Sequence, residues 1–163
     1  SKHSKRAAEI LARLDGPGQL IADIGSGRAS YLEGLKGKLI RMDIAVPELQ
    51  DVIGSLDALP FGEGLFDGVI CFQVLYYTGR PEKWIGEIAR ILKPGGWLAW
   101  SVSKPQGVQS EKGYSPQTMA PWAGDKWDRA FIEAGFKVTR PAKARLIWNK
   151  LGVYHFGICR KSR

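Results

Sequence analysis

Short apolar runs alternating with amphipathic stretches restrict this chain more than any other feature. Residues 5–14, KRAAEILARL, place Ala8, Ile10, Leu11 and Leu14 at near-helical spacing, and Asp15-Gly16-Pro17-Gly18 stops that helix. Apolar runs over 19–25, 38–44 and 51–56 read as strands, with a short helix over 30–35 between the first two. Residues 66–72, FDGVICF, form a fourth strand, apolar as expected when both faces are covered. An amphipathic helix over 81–92 opens on proline and ends at Lys93-Pro94-Gly95-Gly96, ahead of a fifth strand over 97–102. A loop rich in Pro, Gly, Ser and Gln follows over 104–124, then a helix over 126–134 and strands near 136–140 and 154–160. This order predicts an α/β fold: seven strands in a mostly parallel sheet, with helices on both faces. The last two strands adjoin without a helix, so one strand is expected to run antiparallel.

A length of 163 residues argues for one domain over 1–163, large enough to bury about 70% of its unfolded surface without disulfide or metal. Cys71 and Cys159 lie far apart in apolar runs without metal-ligand spacing, which speaks against a disulfide scaffold or zinc module. No apolar run approaches the roughly 20 residues of a membrane span, so a soluble cytoplasmic protein is expected. The net charge of +8 is uneven. Residues 1–50, 51–100 and 101–163 carry +2, −2 and +8, so the last stretch holds the whole excess. Such a field attracts phosphates or acidic surfaces, or simply solubilises.

The first strand runs into Asp23-Ile24-Gly25-Ser26-Gly27-Arg28-Ala29. Glycines there let the backbone approach a ligand that a Cβ would push away. Open α/β sheets bind ligands at the carboxyl ends of their strands, so a nucleotide-like ligand is expected over Gly25, Ser26 and Gly27. Asp43 ends the second strand 18 residues after Gly25, the place of an acid that accepts hydrogen bonds from ribose hydroxyls. The dinucleotide fingerprint is not met, since its third glycine is replaced by Ser30. Asp23 also repels a pyrophosphate but suits an ammonium or sulfonium group.

Four blocks, ADIGSGRA (22–29), RMDI (41–44), LPFGEGLFDGVICFQVLYY (59–77) and EIARILKPGGWLAW (87–100), resemble the class I S-adenosylmethionine-dependent methyltransferases. The likeness is to their small single-domain, methyltransferase type 11 group. It is close over residues 20–102 and loose elsewhere. It implies a Rossmann-like fold, S-adenosyl-L-methionine as cofactor and S-adenosyl-L-homocysteine as product. By position, Gly25 and Gly27 lie against the methionine portion and ribose, Asp23 orients the backbone and cofactor amine, and Asp43 binds ribose. Ile44 packs on adenine, while Phe72 and Gln73 meet the methionine amino group and the acceptor wall. The family's acid before L-P-F is replaced by Ser55, with Leu56 as backbone donor and Asp57 two residues late. Either Ser55 or Asp57 takes the adenine amino group. Ala29 replaces a third glycine.

Methyl transfer from a sulfonium depends largely on alignment, and a base is needed only when the acceptor must lose a proton. The chain has FQVLYY after its fourth strand in place of an Asn-Pro-Pro-Tyr motif, which disfavours amide or exocyclic-amine acceptors. Gln73, Tyr76 and Tyr77 are candidates lining the acceptor site; the two tyrosines equally suit packing of the next helix. His155 reads as a sheet histidine and not a base. A small-molecule acceptor is the leading expectation, with an apolar lid from Tyr114, Met119 and Trp122. An RNA or protein acceptor is the alternative, met by Arg145, Trp148, Asn149 and Lys150. A third reading is a non-catalytic cofactor-binding partner subunit, or a homodimer formed over an apolar patch left by the short N-terminus.

Overall fold

The computed structural model describes residues 2–28, 32–103, 122, 124–139 and 154–163. Helix α1 (Lys2–Leu14) leads into β1 (Leu20–Ile24), β2 (Lys38–Asp43) and the two-residue β3 (Val52–Ile53). β4 (Phe66–Phe72), α2 (Pro81–Ile91), β5 (Leu92–Ser103), α3 (Gly124–Glu133), β6 (Phe136–Thr139) and β7 (Tyr154–Lys161) follow. All seven strands share one sheet in the order β3-β2-β1-β4-β5-β7-β6. β7 alone runs against its neighbours β5 and β6, as the helix-free last connection requires. The chain order reverses beside β1, which has β2 on one side and β4 on the other.

The period-two alternation of each strand sends side chains to two cores. On one face, Ala22, Val69, Leu98 and Trp100 pack with Ile85 and Ile88 of α2 and Trp127 and Phe131 of α3. On the other, Ile21, Ile70, Trp97 and Ala99 pack with Ala7, Ile10 and Leu11 of α1. Helices therefore cover both faces. Each face carries a cross-strand glycine–tryptophan pair. Gly68 lies opposite Trp97, and a Cβ on it would fall 2.2 Å from the indole; Gly157 lies opposite Trp100, with 2.4 Å to Nε1. The missing side chains are the room into which the two indoles fold.

Three elements depart from the sequence reading. The helix expected over 30–35 is, in its described part, a turn over 32–34 closed by Leu35 N–H donating to Leu32 C=O at 3.4 Å. Gly34 has φ 89°, a left-handed conformation that ends a helix and does not continue one. The third strand shrinks to Val52–Ile53, followed by a bridge between Ser55 and Ala58. Lys93-Pro94-Gly95-Gly96 is not a loop before β5 but part of it: Phe66 pairs with Leu92 and Gly68 with Trp97, so the extra residues bulge from the ladder. The loop expected over 104–124, with Tyr114 and Met119, lies outside the described residues apart from Trp122 and Gly124. The turn with Arg145, Trp148, Asn149 and Lys150 lies outside them entirely.

Candidate functional site

The carboxyl ends of β1, β2 and β4 bring the expected cofactor residues together. Gly25 and Ser26 leave β1 still bound to β2, both amides donating to Met42 C=O at 2.8 and 3.1 Å. Gly25 has φ 72° and Gly27 φ 51°, so the chain turns sharply where a side chain would be strained. A Cβ on Gly25 would also lie 2.3 Å from Val74 Cγ2, so the 3-10 turn Leu75–Tyr77 leans on the glycine loop through the residue that opens it.

Asp43 ends β2 and holds this loop. Gly27 N–H donates to its Oδ2 at 2.7 Å and Ala45 N–H to its Oδ1 at 3.0 Å. A carboxylate has about four lone-pair positions, so each oxygen keeps one for a ligand hydroxyl. Beside it Ile44 is 71% exposed and Ile53 53% exposed, an outward apolar pair flanking a carboxylate.

Asp23 is 1% exposed, and its Oδ2 has no hydrogen-bond partner. Burial pushes its carboxyl up to about 7, against the Ser26 hydrogen bond and the Arg41 charge and with Asp43 adding repulsion. An acid with a buried, unmatched oxygen fits a site that receives a cationic donor. Together with the glycine loop and the exposed isoleucines, it suits the ammonium, ribose and base of an S-adenosyl ligand.

Ser55 and Asp57 follow β3 at the same edge, where Gly54 N–H donates to Asp43 C=O at 3.2 Å. Ser55 Oγ accepts from Asp57 N–H at 3.1 Å, and Asp57 Oδ1 accepts from Trp84 Nε1 at 2.9 Å. Leu56, between them, is buried. Phe72 turns its ring into the α1-side core, 5.1 Å from Phe156. Gln73, next in line, has φ 60°, which is rare for a side chain of this kind. Its N–H donates to Ser101 C=O at 2.8 Å and its Nε2 to Ser101 Oγ at 3.0 Å. The Tyr76 hydroxyl donates to Gln73 Oε1 at 3.2 Å and lies 3.4 Å from that of Tyr77; the two rings stand 4.5 Å apart.

Sequence reasoning passed over Arg41, Gln50, Val74, Trp84 and Ser101. Only Ser101 left a linear trace, as a lone hydroxyl near the end of an apolar strand. The others act across strands or turns.

The family model for the methyltransferase domain matches residues 22–100. Demethylmenaquinone methyltransferase of Renibacterium salmoninarum is 29% identical over 97 residues, covering 50% of this chain and 40% of that protein. The chain spans less than half the length of the curated relatives it matches. A Haloferax volcanii complex of the Trm112 methyltransferase activator with a methyltransferase superposes with TM-score 0.77 at 22% identity, covering 99% and 90% of the two chains. Burkholderia thailandensis 1,6-didemethyltoxoflavin-N1-methyltransferase, bound to 1,6-didemethyltoxoflavin and S-adenosylhomocysteine, gives 0.71 at 20% identity, covering 98% and 78%. Fold and family match agree: residues 22–100 carry the methyltransferase domain of the type 11 group, on the fold of the class I S-adenosylmethionine-dependent methyltransferases.

Proposed function

We propose that the protein transfers the methyl group of S-adenosylmethionine to a small-molecule acceptor. The observation that carries this reading is Asp43, a carboxylate pinning the glycine loop between two exposed isoleucines. Asp43 accepts from the ribose hydroxyls, and Ile44 packs on the base. Ser55 and the Leu56 amide meet the adenine edge, since the Asp57 carboxylate is engaged by Trp84. Gly25 and Gly27 admit the cofactor close to the backbone, and Asp23 with Ser26 receives its ammonium group. When bound, S-adenosylmethionine supplies an electrophilic methyl on a sulfonium leaving group. Gln73, Tyr76 and Tyr77 line the acceptor side, where a half-buried, hydrogen-bonded wall fixes orientation, the main requirement of an in-line displacement. A small-molecule acceptor is supported by relatives named for demethylmenaquinone and 1,6-didemethyltoxoflavin. Cys71 and Cys159, buried as thiols, suit a reducing compartment.

Two measurements test this. S-adenosylhomocysteine should raise the melting temperature and NADH should not, because a ligand bound only by the folded state stabilises it. Radiolabelled methyl from the cofactor should enter the small-molecule fraction of a cell extract. Label in RNA or protein alone would move the assignment to the macromolecular alternative. Cofactor binding with no label in any fraction would indicate a non-catalytic partner subunit.

A further inference from the structure

Arg41 lies opposite Asp23 in the β1–β2 register, so both side chains leave the sheet on the same face. Its own N–H donates to Asp51 Oδ2 at 2.8 Å, which anchors the base of the arm. Its Nε then donates to Ser26 Oγ at 2.8 Å and its Nη2 to Gly27 C=O at 3.1 Å. Gln50 Nε2 donates to that carbonyl as well, at 3.0 Å. Gly27 is therefore held at both ends of its backbone, by Asp43 on the amide and by Arg41 and Gln50 on the carbonyl.

The contacts also have a direction. A guanidinium has donors only, so Ser26 Oγ accepts from Arg41, and its single proton is left for Asp23. The result is a one-way chain, Arg41 to Ser26 to Asp23, ending on the acid whose other oxygen is unmatched. Among the described residues, the charged groups that act on Asp23 are Arg41 and Asp43, both from β2; the Cys71 thiol of β4 lies in the opposite, α2-side core, where burial and Asp23 keep it protonated. Helix α1, packed on the face of Asp23, contributes the apolar Ala7, Ile10 and Leu11.

We propose that Arg41 is a positioning residue of the cofactor site: it fixes the glycine loop through Ser26 and Gly27 and lends Asp23 a countercharge for receiving the ligand's ammonium group. This rests on the reading that the loop binds an S-adenosyl ligand. The site then takes its ligand best once Asp23 is ionised, and Arg41 sets the pH at which that happens.

The test is calorimetric titration of S-adenosylhomocysteine into the full chain between about pH 5.5 and pH 9, where such linkage is visible. Affinity in the unaltered chain should rise through neutral pH and level off. Arg41→Met should weaken binding about tenfold at neutral pH and move the midpoint of the rise upward. Arg41→Lys should restore the midpoint but not the affinity, because an ammonium cannot fork to Ser26 and Gly27 together. Ser26→Ala, which leaves the charge in place, guards against a folding defect in the methionine variant and should also shift the midpoint upward. Midpoints that coincide in all four proteins, or unchanged affinity in Arg41→Met, would overturn the proposal while leaving the cofactor reading intact. No binding by the unaltered chain at any pH would overturn that reading and this proposal with it.

Discussion

Asp43 and Asp23 are both acids at strand ends, yet they behave in opposite ways. Asp43 gives each oxygen to a backbone amide, so Asp43→Ala removes the tether of the loop and, in the proposed site, the ribose contact with it. Calorimetry with S-adenosylhomocysteine should show a loss of roughly 1–3 kcal/mol; an unchanged affinity would place the ribose elsewhere. Asp23 holds its proton to about pH 7 because burial outweighs Ser26 and Arg41. An unfolded aspartate loses its proton near about pH 4, so between about pH 4 and pH 7 the folded state binds more protons than the unfolded one. Its contribution to stability therefore falls as pH rises through that window and is level above it. Urea titrations should show Asp23→Asn gaining on the parent protein across the window; parallel curves would contradict the raised carboxyl. Glu87 runs the other way. The Arg90 hydrogen bond holds its carboxyl below the ordinary range, so its stabilisation is full at neutral pH and is lost on acidification below about pH 4. The place of Asp43 at the end of β2, beside the glycine loop, was legible from spacing, 18 residues beyond Gly25. Arg41 was not, because its position opposite Asp23 is a matter of strand register.

Among elements, the blocks that made the family recognisable turn out to be largely joinery. Leu59 N–H donates to Glu87 Oε1 at 2.8 Å, and Arg90 donates to Phe61 C=O at 2.8 Å and Leu59 C=O at 3.1 Å. Helix α2 thereby holds the L-P-F turn that follows β3. The aspartate of F-D accepts from Leu20 N–H at 2.8 Å and from Lys93 Nζ at 3.2 Å, tying the starts of β1, β4 and β5. Arg90→Leu takes the guanidinium donor from two carbonyls and leaves Glu87 only the Leu59 amide, and chemical denaturation should register a loss of roughly 1–3 kcal/mol. Lys93→Ala removes only a half-exposed ion pair and should cost no more than about 1 kcal/mol. Equal losses would mean that the α2 staple is ornamental. The long helices were legible from their helical apolar period, and the strands from short apolar runs bounded by glycine, proline or charge. In the described part of the helix expected at 30–35, residues 32–34 form a turn in which Gly34 is left-handed, and the β5 boundary failed because proline and glycine can bulge within a ladder as well as end one.

At the scale of the whole molecule, strand direction sorts the charge. Lys93 and Lys137 begin β5 and β6, while Arg160 and Lys161 close the antiparallel β7, which puts all four at the end of the sheet opposite the glycine loop. Affinity for S-adenosylhomocysteine should therefore change less than about threefold between low and physiological salt, since screening acts over about 8–10 Å. A steep, linear fall of turnover with log salt, relieved by replacing Arg145 and Lys150 together, would favour an RNA acceptor. The glycine–tryptophan pairs on the two faces carry a different consequence, for how such a sheet can change over generations. Gly157 cannot acquire even a methyl group while Trp100 fills the space above it, and Gly68 is bound in the same way to Trp97. Shrinking either indole first leaves a hole that costs about 3–5 kcal/mol. Each pair is open to substitution in one order only, ring first and glycine second, through an intermediate that the rest of the sheet must be stable enough to survive.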